Sequence, residues 1–392
     1  MKRQIRHVIR YCAAGTALLC VVAVGLSALI NYTLPIQSQV VDRLSALEKA
    51  RVAEVFHLRQ TLGDKVWPGW GQKDIPVIVY NEKYAFLIGY PNPPAGWIKM
   101  PQRAMRGGPW QTVQDDTFDG QLYYRQQLPD PNRTPESFTV LVGERWVASI
   151  QTREYAEISF YKEFGKQLPR LLKGIFPYAV VWNLLMGETD TYIGAVEHEA
   201  FHSFQGMLAP SRLKEAESIN HIEAQYHWDD STLNDAWQGE MNLLVQAVRA
   251  ASVSTAAELA HHFLAERDKR RAASNLIPEL IDYERQREWL EGLAKYAEVS
   301  VGRIAATTPS YRPVPALTVD PNFKHYATRE RFWSQQLDEA RRTMGRKGEV
   351  RFYYSGMAQA ALLDRLLSGW KKRIFNQGVA LEDLLREIVH RP

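Results

Sequence analysis

Residues Ala195–Met207 read A-V-E-H-E-A-F-H-S-F-Q-G-M, and within them His198, Glu199 and His202 form the pattern H-E-x-x-H. The stretch is compatible with a helix, and on a helix two residues four positions apart project from the same face, about one turn apart. Both imidazoles can therefore reach one metal ion, while the carboxylate of Glu199 flanks them. The pattern predicts a metal site in which Glu199 takes a proton from water.

A catalytic zinc ion needs a third protein ligand and one position left open for water. Position 208 is Leu, so the third histidine of the metzincin spacing is missing, and the two cysteines, Cys12 and Cys20, lie far upstream. We therefore expect a carboxylate on a later helix, although residues 284–298 can also be read as a solvated acidic helix face. The candidate carboxylates are Glu240, Glu288, Glu291 and Glu298.

One of these carboxylates lies in a recognisable segment. Residues Trp289–Tyr296, W-L-E-G-L-A-K-Y, resemble the W-L-N-E-G-F-A-x-Y segment of gluzincin metallopeptidases of the alanyl- and glycyl-aminopeptidase kind. In that family the Glu of E-G-x-A is the third zinc ligand, which corresponds to Glu291. Gly292 and Ala294 are expected to let this helix approach the histidine helix closely.

A further part of the resemblance lies near the C-terminus, where Phe352–Gly356 reads F-Y-Y-S-G and A-A-L-L-D follows at 360–364. These pieces, with G-V-A-L-E-D at 378–383, resemble the family pattern Y-x-K-G…L-L-D…G-x-S-L-D-D. The Tyr three residues before the Gly hydrogen-bonds the oxyanion in that family, which implies this role for Tyr353, with Tyr354 as the alternative. The resemblance covers residues 177–392 and implies a helical, thermolysin-like catalytic region.

The sequence departs from the family at two further points, the second of which concerns substrate specificity. Leu290 stands where the alanyl-aminopeptidase branch has Asn, and no G-A-M-E-N segment, which captures a free α-amine, precedes the histidines. The resemblance therefore implies a zinc metallopeptidase acting on a peptide or protein substrate, with exopeptidase and endopeptidase action both open. The alternative is a catalytically silent, membrane-tethered binding or assembly module that keeps a metallopeptidase shell.

The N-terminus combines a basic start with a long uncharged run. Four Lys and Arg residues within positions 1–10 precede Tyr11–Ile30, which carries no charge and whose length suits a bilayer-spanning helix. The charge distribution predicts a cytoplasmic N-terminus and a periplasmic or extracellular catalytic part, in a single-pass membrane protein with an uncleaved signal anchor. A cleaved signal peptide is the alternative.

The composition, with 45% hydrophobic and 23% charged residues and a net charge of +4, is that of a globular protein. No basic block interleaved with aromatic residues supports nucleic-acid binding.

The expected fold class is α+β, with a transmembrane helix, a strand-rich mixed part and a mostly helical catalytic half. The expected regions are a cytoplasmic basic tail (1–10), a transmembrane signal anchor (11–30), an amphipathic stalk or packing helix (36–63), a strand-rich α/β region (66–185) and a helical zinc-binding region (186–392).

Hydrophobic periodicity and turn residues predict the individual elements. The run Tyr178–Trp182 is expected to be a strand next to the histidine helix, available for pairing with an extended substrate. Other strands are expected within residues 75–80, 84–89, 121–125 and 137–142. Helices are expected at 40–62, 155–172, 235–251, 256–272, 278–301, 329–344 and 357–370.

Overall fold

The computed structural model describes residues 21–128 and 140–389. Short runs rich in β-branched and aromatic residues form strands between residues 77 and 151, as such residues favour a pleated, half-buried surface. The strands are β1 Val77–Tyr80, β2 Tyr84–Ile88, β3 Trp97–Lys99, β4 Met105–Arg106, β5 Gln111–Thr112, β6 Tyr124–Gln127, β7 Val140–Val142 and β8 Arg145–Gln151. They form an eight-stranded sheet in the order β4-β3-β7-β8-β1-β2-β6-β5. Its central pair, β1 and β8, is parallel, and the other neighbours are antiparallel.

Helices make up most of the remaining described chain. Several begin at a side-chain N-cap: the oxygens of Ser45, Thr152, Asp230 and Ser252 accept backbone N–H groups of the first turn. The helices are α1 (described over 21–32), α2 Ala46–Val66, α3 Arg153–Gln167, α4 Arg170–Lys173, α5 Tyr178–Leu185, α6 Thr189–Leu208, α7 Pro210–Ser218, α8 Ser231–Arg249, α9 Val253–Ala273, α10 Pro278–Arg287, α11 Leu293–Thr307, α12 Arg329–Ala340, α13 Val350–Leu366, α14 Trp370–Arg373 and α15 Leu381–Val389. Shorter turns are the 3₁₀ segments Ile219–Gln225 and Pro315–Val319, and the π-helical turn Glu288–Gly292 between α10 and α11.

The largest apolar cluster joins the sheet, α2 and the later helices in a shared core. Helix α2 is buried along much of its length, including Val52, Val55 and Leu58. It is tied to α6 by a fully buried ion pair, in which Arg59 Nη1 lies 3.0 Å from Glu197 Oε2. The core therefore packs the helix that carries H-E-x-x-H against both α2 and β8.

The predicted fold class needs a correction at the N-terminus. Within residues 21–128 and 140–389, no helix has both the length and the apolar composition needed to cross a membrane. The first half of the predicted span, residues 11–20, lies outside the described residues, and α1 supplies only 21–32. The transmembrane helix is therefore not part of the observed fold, which is α+β. The orientation and localisation inferred from the span remain predictions from the sequence.

The expected strand at Tyr178–Trp182 is also wrong, because these residues open helix α5. A short apolar run does not distinguish a strand from a helix by periodicity alone. Here Tyr178 and Trp182, one turn apart, are buried, while Val180 and Leu184 on another face are exposed. No extended segment for substrate pairing exists at this position.

Helix boundaries also differ from the expected ranges; the helix expected at 357–370, for example, spans Val350–Leu366. The expected helix at 278–301 is interrupted by the π-helical turn Glu288–Gly292. Helix α6 runs through Gly206 and ends at Leu208. A Cβ at Gly206 would lie 2.6 Å from the ring of Trp146, so the glycine allows α6 to pack directly on β8.

A buried set of charged residues, here called the arginine–glutamate network, joins five segments of the helical half. Arg267 alone reaches three carboxylates: Nε lies 2.7 Å from Glu240, Nη2 2.7 Å from Glu288 and Nη1 2.9 Å from Glu382. All members are at most 6% exposed, so each charge depends on its partners instead of water. The network consists of Arg267, Arg270, Arg271, Glu240, Glu284, Glu288 and Glu382.

Removing one charge from this network is expected to destabilise the fold. Arg267→Met keeps the unbranched apolar stem of the side chain but leaves three carboxylates without their shared partner, which costs about 3–5 kcal/mol of unfolding free energy. The matched control is Arg346→Met, because Arg346 pairs with Glu339 at the surface and such a pair contributes about 0–1 kcal/mol. Urea unfolding of both variants measures the difference. Equal losses would contradict the proposed role of the network.

Candidate metal centre

Helix α6 holds His198 and His202 in a fixed position because the helix itself is buried and anchored. Its first turn is bonded to a distant loop, where the carboxylate of Asp190 accepts the backbone N–H groups of Lys324 (2.7 Å) and Tyr326 (2.6 Å). Both histidines lie on the inner face and are at most 7% exposed. The expected helix with two imidazoles on one face is therefore present.

His198, His202 and Glu291 form a compact group of three donor atoms. His198 Nε2 lies 3.1 Å from His202 Nε2 and 3.2 Å from Glu291 Oε2, and His202 Nε2 lies 3.4 Å from the same oxygen. A tetrahedral ion with bonds of about 2.0–2.2 Å separates its ligand atoms by roughly 3.3–3.6 Å. These three atoms, called the donor triangle below, are spaced nearly as the ligands of a metal ion are, and this buried group could hold one.

The other ring nitrogens of the two histidines are occupied by acceptors. His198 Nδ1 lies 3.2 Å from Glu298 Oε2, and His202 Nδ1 lies 2.8 Å from Gln205 Oε1. The amide orientation of Gln205 is fixed independently, since its Nε2 donates to the carbonyl oxygens of Trp289 (2.8 Å) and Leu290 (3.2 Å). Each Nδ1 is therefore the N–H donor, which leaves Nε2 of each ring to face the metal position.

Glu291 reaches the histidines because it lies on the π-helical turn Glu288–Gly292, a wider turn of a kind that is frequent at functional sites. The turn packs against α13 through two glycines: a Cβ at Gly292 would lie 2.5 Å from Gly356 Cα. The absence of a side chain at Gly292 thus allows the π-helical turn to approach α13 closely. The expectation that Gly292 serves the approach to the histidine helix is wrong.

The remaining candidate carboxylates have other partners. Glu240 and Glu288 belong to the arginine–glutamate network and are not in the group that could hold a metal. Glu298 bonds to the outer nitrogen of His198 and forms an ion pair with Lys295 at 2.6 Å. The interpretation of residues 284–298 as a solvated acidic face is wrong, because Glu284, Glu288 and Glu291 are all buried.

Arg287 is a member of the site that the sequence did not reveal. Its Nη2 donates to Glu291 Oε1 at 2.8 Å, and the same nitrogen contacts the carboxylate of Glu349. Because Glu291 bonds Arg287 through one oxygen and faces the histidines through the other, its orientation is fixed on both sides. The i, i+4 spacing of Arg287 and Glu291 was the signal that the sequence offered.

Glu199 lies beside the donor triangle with one free oxygen. Its Oε2 is buried and has no hydrogen-bond partner, whereas most buried polar atoms are paired. Burial raises the pKa of Glu199 to about 7; the two histidines act against this rise, and the carboxylates of Glu291 and Glu217 add to it. A carboxylate with a pKa near neutrality can accept and return a proton under physiological conditions.

Tyr353 is placed next to the donor triangle. Its ring stacks on His198 with a centroid distance of 5.6 Å and an interplanar angle of 10°. Burial and the carboxylates of Glu291 and Glu349 raise its pKa well above the usual value, so the phenol keeps its proton. Tyr354 packs against the apolar core, and its pKa is raised to about 12 by burial and by Glu298.

Comparisons with known proteins add no relative to this picture. No protein-family model, no curated protein and no solved structure matches the chain. The resemblance to gluzincins therefore stays a prediction from the quoted segments, and the geometry of the donor group stands on its own.

Metal binding is expected to release protons. Burial lowers the pKa of His198, but hydrogen bonds to the carboxylates of Glu291 and Glu298 outweigh burial and raise it to about 10. Without metal the imidazole is thus protonated at neutral pH, and a metal ion has to displace that proton. The affinity for the metal ion should therefore increase about tenfold for each unit of rise in pH and each proton released.

Titration calorimetry in two buffers of different ionisation enthalpy measures this proton release. Glu298→Gln is the matched variant, because it keeps a hydrogen-bond acceptor but removes one of the two charges that hold the proton. It should release fewer protons than the unchanged protein. An affinity that does not change with pH would contradict the described environment of His198.

Proposed function

We propose that the protein is a zinc metallopeptidase in which His198, His202 and Glu291 hold the ion. The observation that carries this proposal is the buried donor triangle with edges of 3.1–3.4 Å. The uncommitted oxygen of Glu199 beside it supports a catalytic use of the ion, since a purely structural zinc site is closed by a fourth protein ligand. The quoted resemblance to gluzincins points to the same class.

Zinc is the proposed ion, although two histidines and one carboxylate can also hold non-haem iron. The H-E-x-x-H spacing on one helix supports zinc, because its glutamate is positioned to act on water instead of binding the metal. The outer partners Glu298 and Gln205 also follow the pattern of zinc sites, where a carboxylate or carbonyl oxygen orients each imidazole.

The proposed reaction is hydrolysis of a peptide bond in a peptide or protein substrate. When bound, zinc would acidify a water molecule and polarise the substrate carbonyl. Glu199 accepts the proton from the attacking water and delivers it to the departing amine. Its burial beside the two histidines, which raises its pKa above the usual value, supports this role.

Tyr353 has a separate role in the proposal. Its phenol stays protonated and donates a hydrogen bond to the carbonyl oxygen of the substrate as negative charge develops there. Arg287 holds Glu291 in place from the opposite side. It is a positioning residue, because its guanidinium contacts the ligand and not the reacting atoms.

Glu199→Gln tests the enzymatic assignment. The amide is nearly isosteric but cannot accept a proton, so peptide hydrolysis should fall by about 10²–10⁴-fold while zinc binding is retained. The assay combines metal analysis of the purified full chain with cleavage of a fluorogenic peptide library. Glu330→Gln, an exposed glutamate paired with Arg303, is the control and should change neither value. Retained hydrolysis in Glu199→Gln, or wild-type protein that binds no zinc, would refute the proposal.

The two neighbouring tyrosines form a matched pair for the second test. Tyr353→Phe removes only the phenol donor and should lower kcat by about 10²–10³-fold with little change in KM. Tyr354→Phe removes a hydroxyl from a tyrosine that does not stack on the histidines, so it should leave kcat near the wild-type value. The reverse order of effects would assign the role to Tyr354.

A further inference from the structure

Exposed large apolar side chains are concentrated in one part of the described protein. Of 21 such side chains, eight lie in residues 21–36 and five in residues 171–185. The second group is extreme: Leu171 is 90% exposed and Leu184 is 79% exposed. Isolated exposed apolar residues are ordinary, but a contiguous group marks a surface that contacts a partner or a membrane. The five are Leu171, Leu172, Val180, Leu184 and Leu185.

The two groups belong to one surface. Asn31, at the end of α1, donates through Nδ2 to the carbonyl oxygens of Gly174 (3.1 Å) and Phe176 (2.9 Å), in the connection between α4 and α5. A groove of about 540 Å³ runs between the two parts and is lined by Ile36 and Tyr178, among others. Residues 21–36 together with α4 and α5 are called the apolar face below.

The packing of α5 leaves the leucines of the apolar face exposed. Tyr178 and Trp182 of α5 turn inward and pack with Tyr161 of α3 in a separate small core. With that inner side satisfied, nothing in the described residues covers Leu184 and Leu185 on the other side. Their exposure is thus a fixed property of a well-packed helix.

Positive charge borders the apolar face. Four cationic side chains in residues 160–187 are exposed, and the same segment contains one carboxylate, Glu163. An amphipathic surface with apolar residues at its centre and Lys or Arg at its edge matches the boundary between the acyl chains and anionic headgroups of a bilayer. The four cations are Lys162, Lys166, Arg170 and Lys173.

We propose that the apolar face lies against a lipid bilayer, with Leu171, Leu184 and Leu185 in the acyl region. The sequence favours lipid over a second protein, because the uncharged run Tyr11–Ile30 leads directly into this face at α1. Contact of this kind needs no described helix to cross the membrane. Because α6 begins four residues after Leu185, the surface directly precedes the helix with the histidines.

The test places a fluorophore on the apolar face of the full chain. Cys12→Ser and Cys20→Ser remove both native cysteines, and Leu184→Cys or Val253→Cys then adds one labelling position. Val253 is 60% exposed at the start of α9, a helix that is not part of the apolar face, and serves as the control. Each protein is labelled with an environment-sensitive dye and reconstituted into vesicles of phosphatidylcholine and phosphatidylglycerol.

At position 184 the emission of the dye should shift to the blue. Compared with position 253, quenching by aqueous iodide should be several-fold weaker, and quenching by lipids with a nitroxide on the acyl chain should be several-fold stronger. At position 253 iodide should quench fully and the nitroxide lipids should not. A label at 184 that iodide reaches as easily as at 253 would overturn the proposal. Protection from iodide without nitroxide quenching would also overturn it, because the face would then be covered by protein.

Discussion

The site depends on the position of one π-helical turn, Glu288–Gly292. Three contacts fix it from different directions. Gly292 meets Gly356 of α13 at a distance that excludes any side chain. Gln205 of α6 bonds to two carbonyl oxygens of the turn. Glu288 accepts from Arg267 at 2.7 Å and from Ser355 at 2.6 Å. Since Glu291 lies on this turn, all three contacts act to hold its carboxylate against the histidines.

The same turn connects two buried groups of charges. Glu288 belongs to the arginine–glutamate network, while Glu291, three residues later, faces the two imidazoles and Arg287. Buried carboxylates need partners of opposite charge. Arg267 supplies that charge to Glu288, and Arg287 supplies it to Glu291, whose other oxygen faces the two imidazoles of a group that could hold a metal ion. The network therefore does more than stabilise helices, because it orders the segment that presents the third donor. Glu199 beside the donor triangle has a buried Oε2 without a hydrogen-bond partner, which is why we propose a proton-transfer role for it.

The sequence allowed the donor group to be predicted because its signals are local. His198 and His202 lie one helical turn apart, and Glu291 lies in a short recognisable segment. The partners Gln205, Arg287 and Glu298 were missed as partners because their roles depend on how α6 meets the π-helical turn. The fold was predicted less well where periodicity is ambiguous. Tyr178–Leu185 is as apolar as a buried strand, and its helical form depends on the inward packing of Tyr178 and Trp182.

The most direct test of the central claim is a crystal structure of the zinc-soaked full chain, with anomalous diffraction measured on both sides of the zinc absorption edge. We expect one strong peak about 2.0–2.2 Å from His198 Nε2, His202 Nε2 and an oxygen of Glu291, with a fourth position not taken by protein. A peak elsewhere, or a hydrogen-bonded triangle that stays free of metal at saturating zinc, would contradict it.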